Sequence, residues 1–554
     1  MSHTLTEGGQ ITSHRLRMLR QVIKLSFFTS LLIGILVFAF LMSHVPPVAY
    51  QAAWYRGKAW IAEGIVKEIE VSRGFLFQVT HTNYQINPTL PIEQVIKLTT
   101  PITQKLLVEI QMHFVRASII AGICSLLVMS FFFYRGLVSK AKKHLSGPKI
   151  VSPFWINLRL HLQGKASNIK IGQLPLVKGT ETQHMLITGG TGSGKTNCLH
   201  HLLSHIRKNK QKAIIVDTTG VLLDRYYREG RDVLLNPFDD RSETWHPWAE
   251  GDTAIDYANL ADSLIPSTPS ENENYWRMAS KTVFVSLLEK FSDIKRTSEL
   301  TRWIQYESLD NLCKLVQGSK AAAHMDPSSE KTASSIRSVA STFLECLETL
   351  PDTSTPFSIR EWMNQQNDSW LFLQCLPSQR TILRPLITAW ISAAIRGLMS
   401  LPINLKRRIW FSIDELPSLH KVKDLDTFLT EGRKYGGCGI LTLQSPAQLE
   451  NIYGRDVAKI IIGNTATKVI FREKDPETAE RISKAFGERE VMEIQEGITY
   501  GANEVRDGVS LSMQNKIRPV VSSTQILELP INTAYIKLAE EPHVSKITLN
   551  LSKK

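Results

Sequence analysis

Residues 185–196 read M-L-I-T-G-G-T-G-S-G-K-T and combine glycines with a lysine and a threonine in a phosphate-binding pattern. Gly189 is followed, after four residues, by Gly194, Lys195 and Thr196, which is the spacing of a P-loop. Glycines let backbone N–H groups turn inward and surround phosphate oxygens at the N-terminus of a helix. Lys195 is predicted to reach the β- and γ-phosphates of ATP, and the Thr196 hydroxyl to bind Mg²⁺. The predicted nucleotide-binding residues are Gly189, Gly190, Thr191, Gly192, Ser193, Gly194, Lys195 and Thr196.

A pair of carboxylates follows the apolar run R-I-W-F-S-I-D-E-L-P at 408–417. The run predicts a buried strand that ends in Asp414 and Glu415, at the edge of an open α/β sheet where ligands bind. Asp414 is predicted to hold Mg²⁺, directly or through water, and Glu415 to orient and deprotonate the attacking water. The adjacent glutamate favours an NTPase with a strand-borne catalytic carboxylate over a GTPase switch.

Two further polar residues are candidates for catalysis. Gln444 ends the strand C-G-I-L-T-L-Q-S (438–445), which we expect beside the carboxylate strand, where an amide can sense the γ-phosphate. Arg433 lies in G-R-K-Y-G-G (432–437), predicted as a loop at the sheet edge. It could complete the site of a neighbouring subunit as an arginine finger, which stabilises transition-state charge. Spacing alone favours an ordinary solvated arginine.

Alternating strands and helices must position these residues. His184 to Thr188 predict a strand before the P-loop, and residues 196–208 have helical spacing after it. A second parallel strand is predicted at 213–217, a helix from Leu425 to Glu431, and a further strand at 466–471. The alternation predicts an α/β fold with a doubly wound, mostly parallel sheet.

Residues 253–365 interrupt this alternation. They contain long helical stretches, such as Y-W-R-M-A-S-K-T-V-F-V-S-L-L-E-K and the segment at 330–347, and almost no strand signal. We therefore predict an all-α domain inserted into a nucleotide-binding domain that is formed by residues 135–252 and 366–554.

Two apolar runs are long enough to cross a membrane. Residues 25–42 carry no charge and, extended to Val45, match a hydrocarbon core of ~30 Å. Residues 117–134 form a second run between Arg116 and Arg135. These runs predict transmembrane helices at 25–45 and 117–134. A buried core helix is the alternative for each run, and a cleaved signal peptide is a further alternative for the first.

Basic residues flank the two runs on what must be the same side of the membrane. The first run is preceded by Arg15, Arg17, Arg20 and Lys24, and the second is followed by Arg135, Lys140, Lys142, Lys143 and Lys149. Both ends of the chain are therefore predicted to be cytoplasmic, with residues 1–24 as a cytoplasmic N-terminus. Residues 46–116 become a periplasmic segment in a Gram-negative host. This segment lacks cysteine, and I-V-K-E-I-E-V (65–71) and G-F-L-F-Q-V (74–79) predict short strands beside a helix.

The composition is that of a globular protein with a membrane anchor. The chain has 554 residues, of which 43% are hydrophobic and 21% charged, and these values exclude a fully disordered chain, a collagen-like fibre and a many-span transporter. The net charge of +13 favours acidic partners such as nucleic acid or anionic lipid. Six cysteines without a C-x-x-C pair argue against a structural zinc site.

Several motifs together resemble one family. The run D-V-L-L-N-P-F-D-D-R-S-E-T-W-H-P-W (232–248) resembles the segment after the second strand in type IV coupling proteins, the TraD branch of conjugation systems. The P-loop and the motifs at 411–419, 431–436 and 441–445 occur in that family's order and spacing. Two N-terminal spans around a small periplasmic segment also match, so the resemblance covers nearly the whole chain.

The resemblance implies a RecA-like, ring-shaped homo-hexameric ATPase at the inner membrane. Such a motor would link a relaxase–DNA complex, the relaxosome, to the inner-membrane components of a type IV secretion channel and transfer single-stranded DNA. By position in the motifs, the residues that match the family's nucleotide site are Lys195, Thr196, Asp414, Glu415, Arg433 and Gln444. Some TraD-branch members carry a long acidic, Gln-rich C-terminal tail that docks a relaxosome protein. This sequence ends at I-T-L-N-L-S-K-K, which favours the all-α insertion for partner recognition.

Two alternative functions share the same motor chemistry. A coupling ATPase that recruits only protein effectors has the same motifs, and a relaxase gene with an origin of transfer nearby would instead favour DNA transfer. A double-stranded DNA translocase of chromosome partitioning commonly has more spans, a long linker and a winged-helix end, which are missing from this sequence.

Overall fold

The computed structural model describes residues 2–72, 85–87, 90–140, 143–268, 270–499 and 508–552. The chain divides into two compact units. One contains residues 1–144 and 491–516, and the other contains residues 145–490 and 517–554.

The first unit is built on long N-terminal helices. Its elements are α1 (Ser2–Ser43), α2 (Pro47–Ser72), β1 (Gln85–Asn87), β2 (Leu90–Pro91) and α3 (Ile92–Lys140). The helices α1 and α3 run antiparallel, since Ser26 bonds to Ser125 at 2.8 Å between hydroxyls while Gly34, two turns later, lies against Ala121. Small and hydroxyl residues at such a contact are typical of helix pairs in membranes.

Two helices of this unit have the length and composition of membrane spans. The stretches Leu16–Ser43 and Ile92–Leu137 have mean hydropathies of 2.5 and 2.1, and 6% of the most apolar window of each is buried. A third helix of sufficient length, Arg380–Met399, has 78% of its window buried within the protein. That helix therefore belongs to the protein core, and the two predicted runs are the ones with apolar faces left exposed.

The predicted strand at 65–71 is wrong. Residues 65–71 lie inside α2, whereas residues 74–79 lie outside the described part of the chain. A pattern as short as I-V-K-E-I-E-V fits a helix as well as a strand, because its apolar residues recur at both spacings. The predicted boundary at Arg116 is also not a break, since α3 continues from Ile92 through the whole second run.

The second unit contains a sheet of ten strands in the order β4-β17-β16-β13-β7-β12-β11-β8-β10-β9. The strands are β4 (Ile150–Val151), β7 (Met185–Thr188), β8 (Lys212–Asp217), β9 (Val233–Leu235), β10 (Trp370–Gln374), β11 (Ile409–Ile413), β12 (Gly437–Leu443), β13 (Thr467–Ile470), β16 (Thr533–Lys537) and β17 (Val544–Thr548). All pairs from β13 to β9 are parallel, and β16 is antiparallel to both of its neighbours. The mostly parallel sheet was predicted, whereas β10 and the antiparallel strands were not.

A two-stranded sheet also belongs to the second unit, and a three-stranded sheet is formed mostly by residues of the first unit. The strands β5 (Ala166–Ile171) and β6 (Leu174–Val177) form an antiparallel pair. A three-stranded sheet has the order β15-β14-β3, where β3 is Lys143–Ser146, β14 is Glu488–Thr499 and β15 is Gly508–Pro519.

Helices cover both faces of the large sheet. They are α4 (Pro153–Leu162), α5 (Lys195–Lys208), α6 (Val221–Tyr226), α7 (Ala254–Leu264), α8 (Glu271–Lys290), α9 (Thr297–Gln305), α10 (Leu309–Leu315), α11 (Glu330–Leu344), α12 (Ile359–Asn364), α13 (Arg380–Met399), α14 (Leu425–Glu431), α15 (Pro446–Tyr453), α16 (Arg455–Gly463), α17 (Pro476–Ala485) and α18 (Ser523–Leu527). Strand residues alternate between two buried cores. On β10, for example, Leu371 and Leu373 join one core, and Trp370 and Phe372 join the other. Burial on both faces explains why these strands are continuous apolar runs.

The segment 253–365 holds helices α7 to α12, and its described residues contain no strand. Its apolar side chains, such as Phe284 and Leu344, belong to the same core as Phe411 on β11 and Trp390 on α13. The helical segment is thus packed directly on one face of the sheet.

Candidate functional site

The glycine-rich segment turns between β7 and α5 at the carboxyl edge of the sheet. Gly189 and Gly194 have φ angles of +155° and +119°, which favour glycine. A Cβ on Gly189 would lie 2.6 Å from the Cβ of Phe471, and one on Gly194 would lie 2.7 Å from Asn532 Oδ1. Backbone conformation and close packing therefore both require glycine at these two positions.

The ammonium of Lys195, the first residue of α5, lies over this loop. Its Nζ donates to the carbonyl oxygens of Gly189 and Gly190. Burial lowers the pKa of Lys195, and the negative charges of Glu415, Glu473 and Asp414 act in the opposite direction. The lysine therefore lies within the electrostatic reach of three carboxylates. Thr196 follows it with an exposed side chain in the first turn of the helix.

Asp414 and Glu415 follow β11 and are held by one hydroxyl on the neighbouring strand. Thr442 Oγ1 on β12 donates to Asp414 Oδ1 at 3.0 Å and accepts the backbone N–H of Glu415 at 2.8 Å. Glu415 has a φ of +57°, a left-handed conformation that is uncommon for a residue with a side chain. Such backbone strain is concentrated at functional sites, where the surrounding structure enforces it.

The local environment favours the protonated form of both carboxyl groups. Burial raises the pKa of Asp414 to about 6, assisted by the charges of Asp217 and Glu415 and opposed by the bond from Thr442. Burial also raises the pKa of Glu415, while the charge of Lys195 opposes this shift. Closely spaced buried carboxylates need positive charge beside them to ionise together.

Gln444 lies between the loop and the carboxylates, at the end of a strand that pairs with the carboxylate strand. It follows β12, which pairs with β7 on one side and with β11 on the other. Its amide oxygen lies 3.4 Å from Thr191 Oγ1, and hydrogen bonds from its side chain and backbone to Glu415 lower the pKa of that carboxyl.

Arg433 lies elsewhere. It sits with an exposed side chain in the 3-10 turn Gly432–Tyr435, which precedes the central strand β12, rather than in a loop beside an edge strand. Seven residues of β12 separate this turn from Gln444, a length of ~20 Å at the usual rise of a strand. The structure therefore does not bring Arg433 to the P-loop of its own chain.

Glu473 is a site residue that sequence reasoning missed. It follows β13, the other neighbour of β7, and its Oε1 accepts a 3.0 Å bond from the Thr188 hydroxyl. Burial raises the pKa of Glu473 to about 7, opposed by the Thr188 bond and the charge of Lys195. The backbone carbonyl of the preceding residue, Arg472, accepts a hydrogen bond from the N–H of Gly190 at 2.8 Å. The sequence does show a charged residue shortly after a buried strand. However, no motif near Glu473 indicates that this strand lies beside the P-loop strand.

Asn532 is a second missed contact of the loop. Its backbone N–H donates to the Ser193 carbonyl at 2.9 Å, and its φ is +59°. Asn197 on α5 bonds to Asn532, to the carbonyl of Asn550 and to the N–H of Ser552. The far side of the P-loop is therefore fixed by residues more than three hundred positions away in the chain.

The residues predicted to bind Mg²⁺ fit a cation that is bound together with a nucleotide. In the described part of the chain, no three His, Cys, Asp or Glu side chains are grouped to hold a metal ion. Mg²⁺ at nucleotide sites takes one or two protein oxygens and completes its shell with water and phosphate oxygens. Asp414, bonded only through Oδ1 among the described residues, and the exposed Thr196 supply such a partial set.

A family model for the type IV secretion-system coupling protein DNA-binding domain matches residues 168–550 of this chain. The chain belongs to this family. The matched range includes the P-loop, the carboxylates, Gln444, Arg433 and Glu473, so these candidate site residues all lie within the matched coupling-protein domain.

Relatives of known name agree with the family. Coupling protein TraD of Escherichia coli (strain K12) is 30% identical over 571 aligned residues, which include 98% of this chain and 77% of TraD. Conjugal transfer protein TraG of Escherichia coli is 23% identical over 415 residues, covering 65% of this chain and 64% of TraG. Both names belong to conjugative transfer, the process that the resemblance indicated.

Solved structures of the bacterial conjugative coupling protein TrwB have the same mixed α/β fold. The unbound monoclinic form of TrwBdeltaN70 matches with a TM-score of 0.68 at 29% identity, covering 74% of this chain and 94% of that one. TrwB in complex with ADP and Mg²⁺ matches with a TM-score of 0.66 at 29% identity, with 74% and 95% covered. A further TrwB structure holds the ATP analogue ADPNP. Nucleotide binding is thus observed in these relatives.

Proposed function

We propose that this chain is a membrane-anchored, RecA-like ATPase that moves single-stranded DNA with an attached relaxase toward a type IV secretion channel. The observation that carries the proposal is the convergence of the P-loop, Asp414, Glu415 and Gln444 at one edge of a mostly parallel sheet. ATP hydrolysis requires a phosphate-binding loop beside two carboxylates at the end of a strand, one to hold Mg²⁺ and one to activate water.

The loop residues Gly189 to Thr196 bind the phosphates of ATP. Their backbone N–H groups surround the phosphate oxygens, and Lys195 exchanges its carbonyl partners for the β- and γ-phosphates. Thr196 and Asp414 would hold Mg²⁺, and the cation would supply charge neutralisation at the phosphates. A bound cation also offsets the burial that raises the pKa of Asp414, so this carboxyl ionises in the loaded site.

Glu415 accepts a proton from the attacking water. Burial brings its pKa closer to neutral pH, which suits a general base. The Thr442 hydroxyl fixes the backbone N–H of Glu415 and thereby the direction of its side chain. Gln444 bonds to both Thr191 and Glu415, so its amide links the position of the γ-phosphate to the position of the base.

The position of Arg433 is the basis for proposing an assembly of several subunits. Since this exposed arginine lies at the opposite end of β12 from the P-loop, it acts on the nucleotide of a neighbouring subunit. A homo-hexameric ring supplies every site with one such neighbour and leaves a central channel for DNA.

The remaining regions place this motor in the cell. Residues 25–45 and 117–134 span the inner membrane, residues 46–116 lie in the periplasm, and both termini are cytoplasmic. Residues 135–252 and 366–554 form the nucleotide-binding domain. The helical insertion at 253–365 recognises the relaxase or other relaxosome proteins, and the membrane region contacts inner-membrane components of the secretion channel.

Mating experiments test the proposal. A donor strain that lacks this gene is complemented with the wild-type protein, with Lys195→Ala, or with the control Lys208→Ala, which removes an exposed lysine at the other end of α5. We expect Lys195→Ala to abolish plasmid transfer while the protein remains in the membrane fraction, and Lys208→Ala to transfer normally. Transfer at the wild-type frequency by Lys195→Ala would contradict the motor function.

A second readout separates DNA transfer from protein transfer. The relaxase is fused to a recombinase that activates a reporter in recipient cells, with or without a mobilisable plasmid in the donor. The proposal expects the plasmid itself to arrive in the recipients. Delivery of protein effectors by a wild-type strain that never transfers DNA would instead support a coupling ATPase for proteins only.

A further inference from the structure

The first two turns of α13 carry two arginines without an ion-pair partner among the described residues. Arg380 and Arg384 are four residues apart and so lie on the same face of the helix. Both side chains are half-buried, and the Nε atom of each is buried without a hydrogen-bond partner. Neither forms an ion pair with a carboxylate in the described residues.

The electrostatics of this pair are unfavourable in the absence of an anion. Like charges on adjacent helical turns repel each other, and cations in the first turn oppose the positive end of the helix dipole. A buried N–H without an acceptor adds a desolvation cost. At the last turn of the same helix, Arg396 is paired with Asp424 at 2.7 Å. The two ends of α13 therefore differ, and one bound anion would offset all three costs at its first turn.

The titratable neighbours of Arg384 do not balance its charge. His420 follows β11, and its pKa is lowered to about 4 by burial and by the charges of Arg384 and Arg277. Arg277 forms an ion pair with Glu273 at 3.6 Å and donates a hydrogen bond to the Pro266 carbonyl. His420 is therefore neutral near pH 7 and Arg277 is paired, so among the described residues the unpaired positive charge here is that of Arg380 and Arg384 themselves.

Strand order separates this pair from the nucleotide. The helix α13 follows β10, and the order β7-β12-β11-β8-β10 places β10 four positions from the P-loop strand. At ~4.8 Å per position, that separation is ~19 Å, which is farther than one arginine side chain extends. Glu415, after β11, lies between the two places, and the charge of Arg380 lowers its pKa. An anion at the arginine pair would therefore lie beside the catalytic edge but outside the P-loop.

We propose that Arg380 and Arg384 bind a backbone phosphate of the transported single strand next to the catalytic carboxylates. This inference rests on the proposed function as a DNA motor. Guanidinium groups bind phosphate in a bidentate manner, and two of them one turn apart can hold one phosphodiester from two sides. Contacts to phosphate are independent of base sequence, as transfer of arbitrary DNA requires.

The test measures DNA binding by the full-length protein in detergent micelles. Fluorescent oligo(dT) and a mixed-sequence oligonucleotide are titrated with the wild type, Arg380→Gln, Arg384→Gln and the double variant. The control is Arg302→Gln, which removes an exposed arginine paired with Glu299 on α9. We expect each single change to weaken binding of both oligonucleotides about five- to tenfold. The slope of log affinity against log salt should become shallower by about 0.7 in the double variant, which loses one phosphate contact. The control should leave affinity and slope near the wild-type values.

Arginine-to-lysine variants and nucleotide binding complete the test. Lysine keeps the charge, so Arg384→Lys should retain the salt slope yet bind DNA more weakly, and it serves if a glutamine variant fails to fold. Fluorescent ADP should bind all variants equally.

The outcomes distinguish this inference from the function on which it rests. Unchanged DNA affinity and slope in the double variant, or loss of ADP binding instead, would overturn the inference while leaving the motor intact. A wild-type protein that binds no DNA at low salt would overturn both.

Discussion

The two ends of β12 hold two candidate catalytic residues in opposite surroundings. At the carboxyl end, Gln444 lies between Thr191 and Glu415, and the buried Thr442 joins Asp414 to the backbone of Glu415. At the amino end, Arg433 projects from a short turn with its side chain exposed. Contacts within one chain thus position the first group, whereas no such contact brings the exposed arginine to the P-loop of its own chain. Under the proposed function, a single subunit is therefore an incomplete catalyst.

The strongest test of this comparison mixes two inactive variants. Arg433→Ala keeps its own P-loop and carboxylates, so it should bind ATP normally and hydrolyse it ~10³-fold or more slowly. In mixed rings with Glu415→Gln, some interfaces pair an intact Glu415 with a neighbouring intact Arg433, and activity should return. The measurement is phosphate release against mixing ratio, with Lys434→Ala, the adjacent exposed residue, as the control. Absence of rescue in confirmed mixed assemblies would show that Arg433 does not act across an interface.

Glu415→Gln alone tests the buried end. The amide keeps the shape of the side chain but cannot accept a proton, so we expect turnover to fall ~10²- to 10⁴-fold while ATP remains bound. Single-turnover hydrolysis and retention of labelled ATP on a filter measure the two effects. Wild-type turnover would assign water activation to another group.

Glu473→Gln tests how much the burial of this carboxyl group, at the same edge of the sheet, lowers the free energy of unfolding. Burial raises the pKa of Glu473 from 4.5 to about 7, so the folded protein keeps this proton in a pH range where the unfolded chain has lost it. The free energy of unfolding therefore falls as pH rises through that window. The glutamine variant has no titrating group here, so its free energy of unfolding does not fall in this window. It should exceed that of the wild type by up to about 3 kcal/mol above pH 7 and equal it below pH ~4.5.

Thermal unfolding across this pH range measures the effect of Glu473→Gln. Glu477→Gln, an exposed glutamate on α17, is the matched control and should follow the wild type. A constant difference at all pH values would mean that the Glu473 carboxyl does not titrate as described.

Thr442→Val should have the smallest effect of the four. Valine has the same shape but leaves Asp414 without its donor and the Glu415 N–H without its acceptor, so kcat should fall about tenfold. Thr442→Ser keeps the hydroxyl and should retain most of the activity. Equal losses in both variants would assign the effect to packing rather than to the shared hydroxyl.

Much of the fold around the P-loop could be predicted from sequence. The strands at 185–188, 409–413 and 437–443 and the helix at 195–208 follow from apolar runs and helical spacing. Short patterns were less informative. The run at 65–71 was read as a strand and is part of α2, and Trp370–Gln374 was not recognised as a strand. Five to seven apolar residues fit both periods, so the surrounding fold decides between them.

The sequence by itself determined the parts of the site that are contiguous in the chain. Gly189 to Thr196 form a phosphate loop because consecutive backbone groups make it, and Asp414 with Glu415 are adjacent by covalent bonds. Only the tertiary structure decided which distant residues complete the edge. Glu473 and Thr442 reach the site because β13 and β12 flank the P-loop strand, and Arg380 remains outside the loop because β10 lies four positions away. Strand order is set by the packing of two cores and their helices, and that information is spread over the whole chain rather than carried by any one motif.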